Sequence, residues 1–247
     1  GQTGGTQQQA IGQPVGQALL VRGQQRERAV RVEAQQALQR DADQGPGADQ
    51  HAPVVGQQQR MHRRQHRGER GDGAALAGLA ANIGDPHVRH KGTIGGSIAN
   101  NDPAADYPAA CVGLGATIHT NARKIAADDF FTGLFSTALG EGEVVTAVEF
   151  PLPKKAGYAK FPNPASRYAM IGVFVADTGS GARAAVTGAG HGVFRSGEVE
   201  AALGKGFSSA SLNGVKVGAD NVAGDLHASA EYRAHLITVM AKRAVDA

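Results

Sequence analysis

The composition of the chain breaks between residues 73 and 74, and the break decides which part can build a core. All 17 Gln of the 247 residues lie before it, while all 12 Phe and Tyr, and every Lys, Asn and Ser, lie after it. A segment without aromatics buries too little apolar surface to offset the entropy of ordering it. Residues 74–247 carry the usual mixture and fall in the size range of one or two domains.

Three readings of residues 1–73 stand side by side. The first is a disordered Gln/Arg/Gly-rich tail. The second is a folded unit, with Ala18-Leu19-Leu20-Val21 as a strand and 27–39 as a helix. The third is translation of a GC-rich gene in the wrong reading frame, which enriches Gly, Arg, Ala, Gln and Pro while excluding Lys, Asn, Phe and Tyr together. Lys and Ser are common in disordered chains, so their joint absence is what the third reading explains.

Charge follows the same division. Residues 1–73 hold 10 Arg against 7 acids, and residues 74–247 hold 15 basic and 15 acidic residues. The overall charge of +3 therefore belongs to the anomalous segment, and the neutral remainder argues against a nucleic-acid partner. The Arg cluster at 60–70 reads as a solvated charge run. Cys111 is the only cysteine, which excludes an internal disulfide and any four-thiolate cluster within the chain. No run approaches the ~20 apolar residues of a membrane span, and the polar start lacks a signal-peptide core. The expectation is a cytoplasmic protein.

Chemistry concentrates in residues 89–108, where two adjacent glycines sit among hydroxyl, amide and carboxylate side chains. Gly95 and Gly96 let backbone N–H groups approach a ligand, and a run of such groups makes an anion-binding nest. Thr93, Ser97 and Asn100 add side-chain donors, and Asp106 can accept hydrogen bonds from a polyol. The sum reads as a clamp for a nucleotide pyrophosphate.

The fold class expected is α+β. Residues 74–83 form a short helix closed by the turn signal Gly84-Asp85-Pro86, and 103–114 form a helix with Asp102 as N-cap and Pro103 at its first position. Alternation predicts strands at 116–120, 123–126 and 143–150, with a helical turn at 128–131. From residue 154 a second unit is expected: three antiparallel strands at 158–161, 169–176 and 182–187, then helices at 197–203 and about 229–244. The last helix carries Tyr232, Leu236, Val239 and Met240 at helical spacing.

Gly92-Thr-Ile-Gly-Gly-Ser97 followed by Asp102-Pro-Ala-Ala-Asp106 resembles the second flavin motif of the FAD-binding medium subunit of molybdenum hydroxylases, the xanthine dehydrogenase and aerobic carbon monoxide dehydrogenase group. Asp129-Phe-Phe-Thr-Gly133 and Glu143-Val-Val-Thr-Ala-Val-Glu-Phe-Pro151 are similar to the stretch that follows in that family. Lys160-Phe161, Ala165-Ser-Arg-Tyr-Ala169, Val186-Thr-Gly-Ala-Gly190 and Tyr232-Arg-Ala-His-Leu236 resemble its C-terminal domain. The resemblance implies an FAD-binding subdomain over 74–153 and a flavoprotein C-terminal domain over 154–247.

It also implies an oxidoreductase subunit that works only in a complex, with a small [2Fe–2S] subunit and a large molybdopterin subunit as a dimer of heterotrimers. Electrons would pass from the iron–sulfur clusters through FAD to an external acceptor. By the same resemblance Thr93, Ile94, Gly95, Gly96, Ser97 and Asn100 meet the pyrophosphate and Asp106 the polyol chain. Val144 or Val145 lies against the isoalloxazine, and Lys160 approaches its polar edge, where a cation stabilises negative charge on the reduced ring. No catalytic base, nucleophile or metal ligand is expected. The family's first subdomain supplies an Ala-Gly-Gly-x-x-Leu-like loop for the other side of the pyrophosphate, and residues 1–73 hold no convincing counterpart. The alternative is therefore a truncated or misread chain that serves at most in assembly.

Blander readings apply to the other features. Gly188–Gly192 lacks the spacing of a dinucleotide fingerprint and reads as a strand-to-helix turn. His87 and His90 sit in a loop without a third ligand. Phe130, Phe131, Phe135 and Tyr158 read as core, and Cys111 as a buried small hydrophobe.

Overall fold

In a computed structural model, the structure describes residues 29–33 and 73–247. The chain runs through β1 (Ala29–Glu33), α1 (Ala74–Ala81), α2 (Pro86–Lys91), α3 (Ile94–Asn100), α4 (Tyr107–Leu114), β2 (Thr117–Thr120) and β3 (Lys124–Ala126). It continues with α5 (Ala127–Phe130), the hairpin β4 (Phe131–Gly133) and β5 (Ser136–Thr137), then β6 (Val145–Pro151), β7 (Lys155–Pro162), β8 (Ala169–Asp177) and β9 (Ala182–Thr187). It closes with β10 (Phe194–Arg195), α6 (Gly197–Leu203), a 3-10 turn at Ser209–Leu212 and α7 (Ala230–Asp246).

Two four-stranded antiparallel sheets organise these elements, ordered β1-β6-β2-β3 and β10-β9-β8-β7. The three strands expected in the second sheet are present, joined at one edge by β10. Residues 29–33, placed in a helix by one sequence reading, are a strand paired with β6 from Ala29 opposite Pro151 to Glu33 opposite Ala147. The remaining expectations for 1–28 and 34–72 lie outside the described residues.

The second sheet is covered on both faces, and β8 shows why. Its sequence Ala-Met-Ile-Gly-Val-Phe-Val-Ala is buried throughout, as a run of apolar residues covered on two sides must be. Phe174 and Ala176 join the core built on α4 and the first sheet, while Ile171, Val173 and Val175 join the core under α7. The alternation follows from the two-residue period of a strand. Burying a side chain such as Phe174 contributes about 1.5–3 kcal/mol. The other cover, α7, approaches β7 so closely that a Cβ on Gly157 would run into the Ala244 carbonyl.

The ends of the helices differ from expectation in ways that matter for the site. Residues 103–106 are not helical, because Asp102 caps a local turn, its carboxylate accepting from the Ala104 amide at 2.8 Å, and α4 starts after Asp106. The loop expected around His87 and His90 is instead α2, capped by Asp85, which accepts from the His87 and Val88 amides. Of the four residues expected on the buried face of α7, Leu236 and Met240 are buried but Tyr232 is exposed, and Arg233 and Ile237 turn inward. Gly188–Gly192 joins strand to strand, β9 to β10, rather than strand to helix.

Candidate functional site

The glycine pair opens a helix. Thr93 is extended and caps α3, its Oγ1 accepting from the Gly96 amide at 3.0 Å, and the Ser97 amide donates to the Thr93 carbonyl at 3.0 Å. Neither glycine has a positive φ, so the backbone of the pair is ordinary helix, with Gly95 buried. Gly96 is exposed, and a Cβ there would meet Thr93 Oγ1 at 3.1 Å beyond the helix's own backbone. Among the described residues the Ile94 and Gly95 amides have no acceptor, as the first donors of a helix do not. Arg89, His90 and Lys91 immediately precede this helix start. Unpaired N–H groups, with Arg89 and Lys91 close in sequence, make a donor set suited to an anion.

Asn100 does not join that cluster. It is the exposed last residue of α3, about 9 Å along the axis from Ile94 at 1.5 Å per residue. Its neighbour Asn101, in the left-handed region at φ 45°, is 1% exposed and holds the β4–β5 hairpin, its Nδ2 donating to the Gly133 and Ser136 carbonyls at 2.8 and 2.7 Å. Asn101 Oδ1 is buried without a partner among the described residues. At the hairpin tip, Phe135 was expected in the core but is 59% exposed with a φ of 50°. The two-residue connection between β4 and β5 leaves it no face of the core to reach.

Asp106 and Lys160 form a second cluster. Asp106 ends the turn before α4, and its Oδ2 accepts from Lys160 Nζ at 3.0 Å while its Oδ1 accepts from the Tyr158 hydroxyl. Lys160 Nζ also donates to the carbonyl of Asn82, the residue that ends α1, at 2.6 Å. Both charged side chains are buried, 7% exposed for Asp106 and 5% for Lys160. Burial pushes the Asp106 carboxyl up, opposed by the Lys160 charge and the Tyr158 hydrogen bond; burial likewise raises the Tyr158 phenol. The turn before Asp106 is pinned from β9, where Thr187 Oγ1 lies 3.0 and 2.7 Å from the Pro103 and Ala105 carbonyls and the Gly188 amide donates to Pro103 at 2.8 Å.

At the start of β6, Val144 is 41% exposed and Val145 is buried at 7%. The preceding residue, Glu143, is held by Arg123, the Thr120 hydroxyl and the Gly140 amide. The structure thus gathers Thr93, Ile94, Gly95, Gly96 and Ser97 at one helix start and Asp106 with Lys160 at another, with Asn100 apart. Sequence reading missed Asn82, Asn101 and Thr187 as supports and took Tyr158 only as core. The two-residue spacing of Tyr158 and Lys160 on one strand was the available signal, since it puts both on the same face.

Other candidates resolve simply. His87 is exposed and lies 3.6 Å from its own cap, Asp85, and no group of three metal-binding side chains exists among the described residues. Cys111 is fully buried in α4 and its thiol is pushed far up by burial. No helix among the described residues is long and apolar enough to cross a membrane.

Comparison with known proteins completes the picture. Residues 49–153 match the family described as the FAD binding domain in molybdopterin dehydrogenase, a range that takes in the end of the aromatic-free segment. The chain is 32% identical over 188 residues to the carbon monoxide dehydrogenase medium chain of Hydrogenophaga pseudoflava, covering 70% of this chain and 66% of that one. It is 31% identical over 188 residues to the nicotine 6-hydroxylase medium subunit of Paenarthrobacter nicotinovorans, covering 69% and 65%. A shorter stretch of 100 residues is 43% identical to the glyceraldehyde dehydrogenase medium chain of Sulfolobus acidocaldarius, 38% of this chain and 36% of that one. The fold is similar to the solved CO dehydrogenase from Oligotropha carboxidovorans, with a TM-score of 0.59 and 29% identity over 70% of this chain and 66% of that one. The chain therefore spans at most about two thirds of the length of these relatives.

Proposed function

Because the chain belongs to the FAD-binding medium-subunit family of the molybdenum hydroxylases, we propose that it holds FAD and passes electrons from the iron–sulfur clusters of a small partner subunit to an external acceptor. Those clusters would drain a molybdenum site on a large molybdopterin subunit, the three chains assembling as a dimer of heterotrimers in the cytoplasm. The observation that carries the reading is the start of α3, where the Ile94 and Gly95 amides lack acceptors among the described residues and stand next to the exposed Gly96. That donor set fits the pyrophosphate of a dinucleotide, and the buried ammonium of Lys160 has one N–H without an acceptor among the described residues, available to a polar ring edge.

In this reading Thr93, Ile94, Gly95, Gly96 and Ser97 hold the pyrophosphate. Asn100 adds a polar contact from the far end of α3, and Asp106 faces the polyol. Val144 or Val145 lies against the ring, and Lys160 attends its polar edge. Bound FAD supplies the two-electron redox chemistry, while the chain binds and orients it and tunes its charge. The reading assigns no base or nucleophile to the chain.

The test is to purify the complex of this chain with its co-expressed partner subunits and to measure flavin released on denaturation. The expected result is one FAD per chain, reduced when substrate is added anaerobically. An active complex without flavin would overturn the reading and favour the assembly-only role.

A further inference from the structure

We propose that Tyr158 is a positioning residue for the flavin site: it fixes the Asp106 carboxylate and, through it, the direction of the Lys160 ammonium. The inference rests on the FAD reading above and adds a residue that makes no contact of its own with the cofactor. Tyr158 and Lys160 stand two apart on β7, and each takes one carboxylate oxygen of Asp106. An ammonium has three N–H bonds. Lys160 spends one on Asp106 Oδ2 and one on the Asn82 carbonyl, and the third has no acceptor among the described residues. Two fixed partners therefore set where the third N–H points.

The Tyr158 hydroxyl is what keeps the first of those partners still. Without it, Asp106 Oδ1 is a buried acceptor with no donor, and the carboxylate gains by turning both oxygens toward Nζ and drawing it from Asn82. The fold has made room for that hydroxyl. Lys160 pairs with Gly172 across the β7–β8 ladder, and a Cβ on Gly172 would run into the Tyr158 hydroxyl and come within 2.8 Å of Thr187 Cγ2. A glycine in the middle of a buried strand weakens the strand and often marks a close approach of this kind. The same Thr187 pins the turn that carries Asp106, so the hydroxyl, the carboxylate and the turn are held as one unit.

The test is a double-mutant cycle on FAD affinity in the assembled complex, stripped of flavin and reloaded, with the visible absorption of the bound flavin recorded alongside. Lys160→Met should raise the FAD dissociation constant about a hundredfold and Tyr158→Phe about tenfold. In the Lys160→Met background, Tyr158→Phe should add less than about twofold and leave the spectrum unchanged, because its effect travels through Lys160. Gly172→Ala, whose Cβ would press on the hydroxyl, its ring carbon and Thr187 Cγ2, should weaken FAD binding at least as much and in the same Lys160-dependent way, and it stands in for Tyr158→Phe should that variant fail to assemble. An undiminished tenfold effect in the Lys160→Met background, or no effect of either variant where Lys160→Met weakens binding, would overturn the proposal. A wild-type complex that takes up no FAD would instead overturn the flavin reading on which it rests.

Discussion

Arg183, on β9, clamps the carbonyl of Val112, near the end of α4, with Nε at 2.9 Å and Nη2 at 2.7 Å. The same guanidinium pairs with Asp128 of α5. The contact complements the negative end of α4, whose other end is the Asp106 that Tyr158 and Lys160 hold from β7. The helix that leads away from the candidate flavin motif is thus fastened at both ends by the second sheet.

Removing the clamp should cost stability without touching the glycine pair. Arg183→Ala is expected to lower unfolding stability by about 1.5–3 kcal/mol, the scale of hydrogen bonds to a charged group. Arg183→Lys should recover only part of it, because an ammonium cannot reproduce the fork of donors. Urea titrations of the three proteins decide this, and an Arg183→Ala midpoint equal to the wild type would refute it.

At the glycine pair the opposite separation is expected. A Cβ on Gly96 is crowded only by Thr93 Oγ1 at 3.1 Å among the described residues, so the hydroxyl must yield slightly, but the backbone is ordinary right-handed helix and Gly96→Val should fold. Its side chain would stand beside the Ile94 and Gly95 amides, which have no acceptor among the described residues, and losing two charge-assisted hydrogen bonds would weaken FAD binding by at least about a hundredfold. Circular dichroism and flavin content of the purified complex test the two halves of this expectation. Retention of stoichiometric FAD would reduce the pair to a helix start.

Most of the strands and the last two helices were legible because apolar period and turn residues are local signals. The segment Ala116–Thr120 alternates, and α6 falls at the expected 197–203. The glycine motif was legible as a site but not as a helix. Gly95 and Gly96 are poor helix formers, and only the Thr93 cap and the packing of α3 on β6 and β5 make them helical. Helix α2 escaped because Pro86 was read as a turn, although Asp-Pro is also a cap followed by a first helical residue. The Asp106–Lys160–Tyr158 cluster joins residues more than 50 apart, which no local pattern reveals.

The lone thiol should be silent in the native protein. Cys111 is fully buried and burial pushes its pKa well above the ordinary range, so neither access nor thiolate is available. A thiol reagent such as DTNB should label no cysteine in buffer and one per chain in guanidinium. Rapid labelling of the folded chain would show that α4 opens, contrary to the fastening described above.

Glu143 gives the fold a defined acid limit. Its carboxylate accepts from Arg123 Nε and Nη2 at 3.1 and 3.2 Å, from the Gly140 amide at 2.8 Å and from the Thr120 hydroxyl at 2.6 Å. The Arg123 hydrogen bonds first, then those of Gly140 and Thr120, lower its pKa from 4.5 to about 2. A group whose folded pKa lies below its unfolded one stabilises the fold above the unfolded value and loses that contribution as pH falls through the folded one. The contribution is therefore complete above about pH 4.5 and gone below about pH 2. Glu143→Gln keeps the shape but not the charge, so it should be less stable than the wild type at pH 7. The two proteins should converge as pH falls across that window. Unfolding midpoints measured for both from pH 7 to pH 2 test the sign directly: a gap that stays constant or widens on acidification would show that Glu143 does not hold its charge by these contacts.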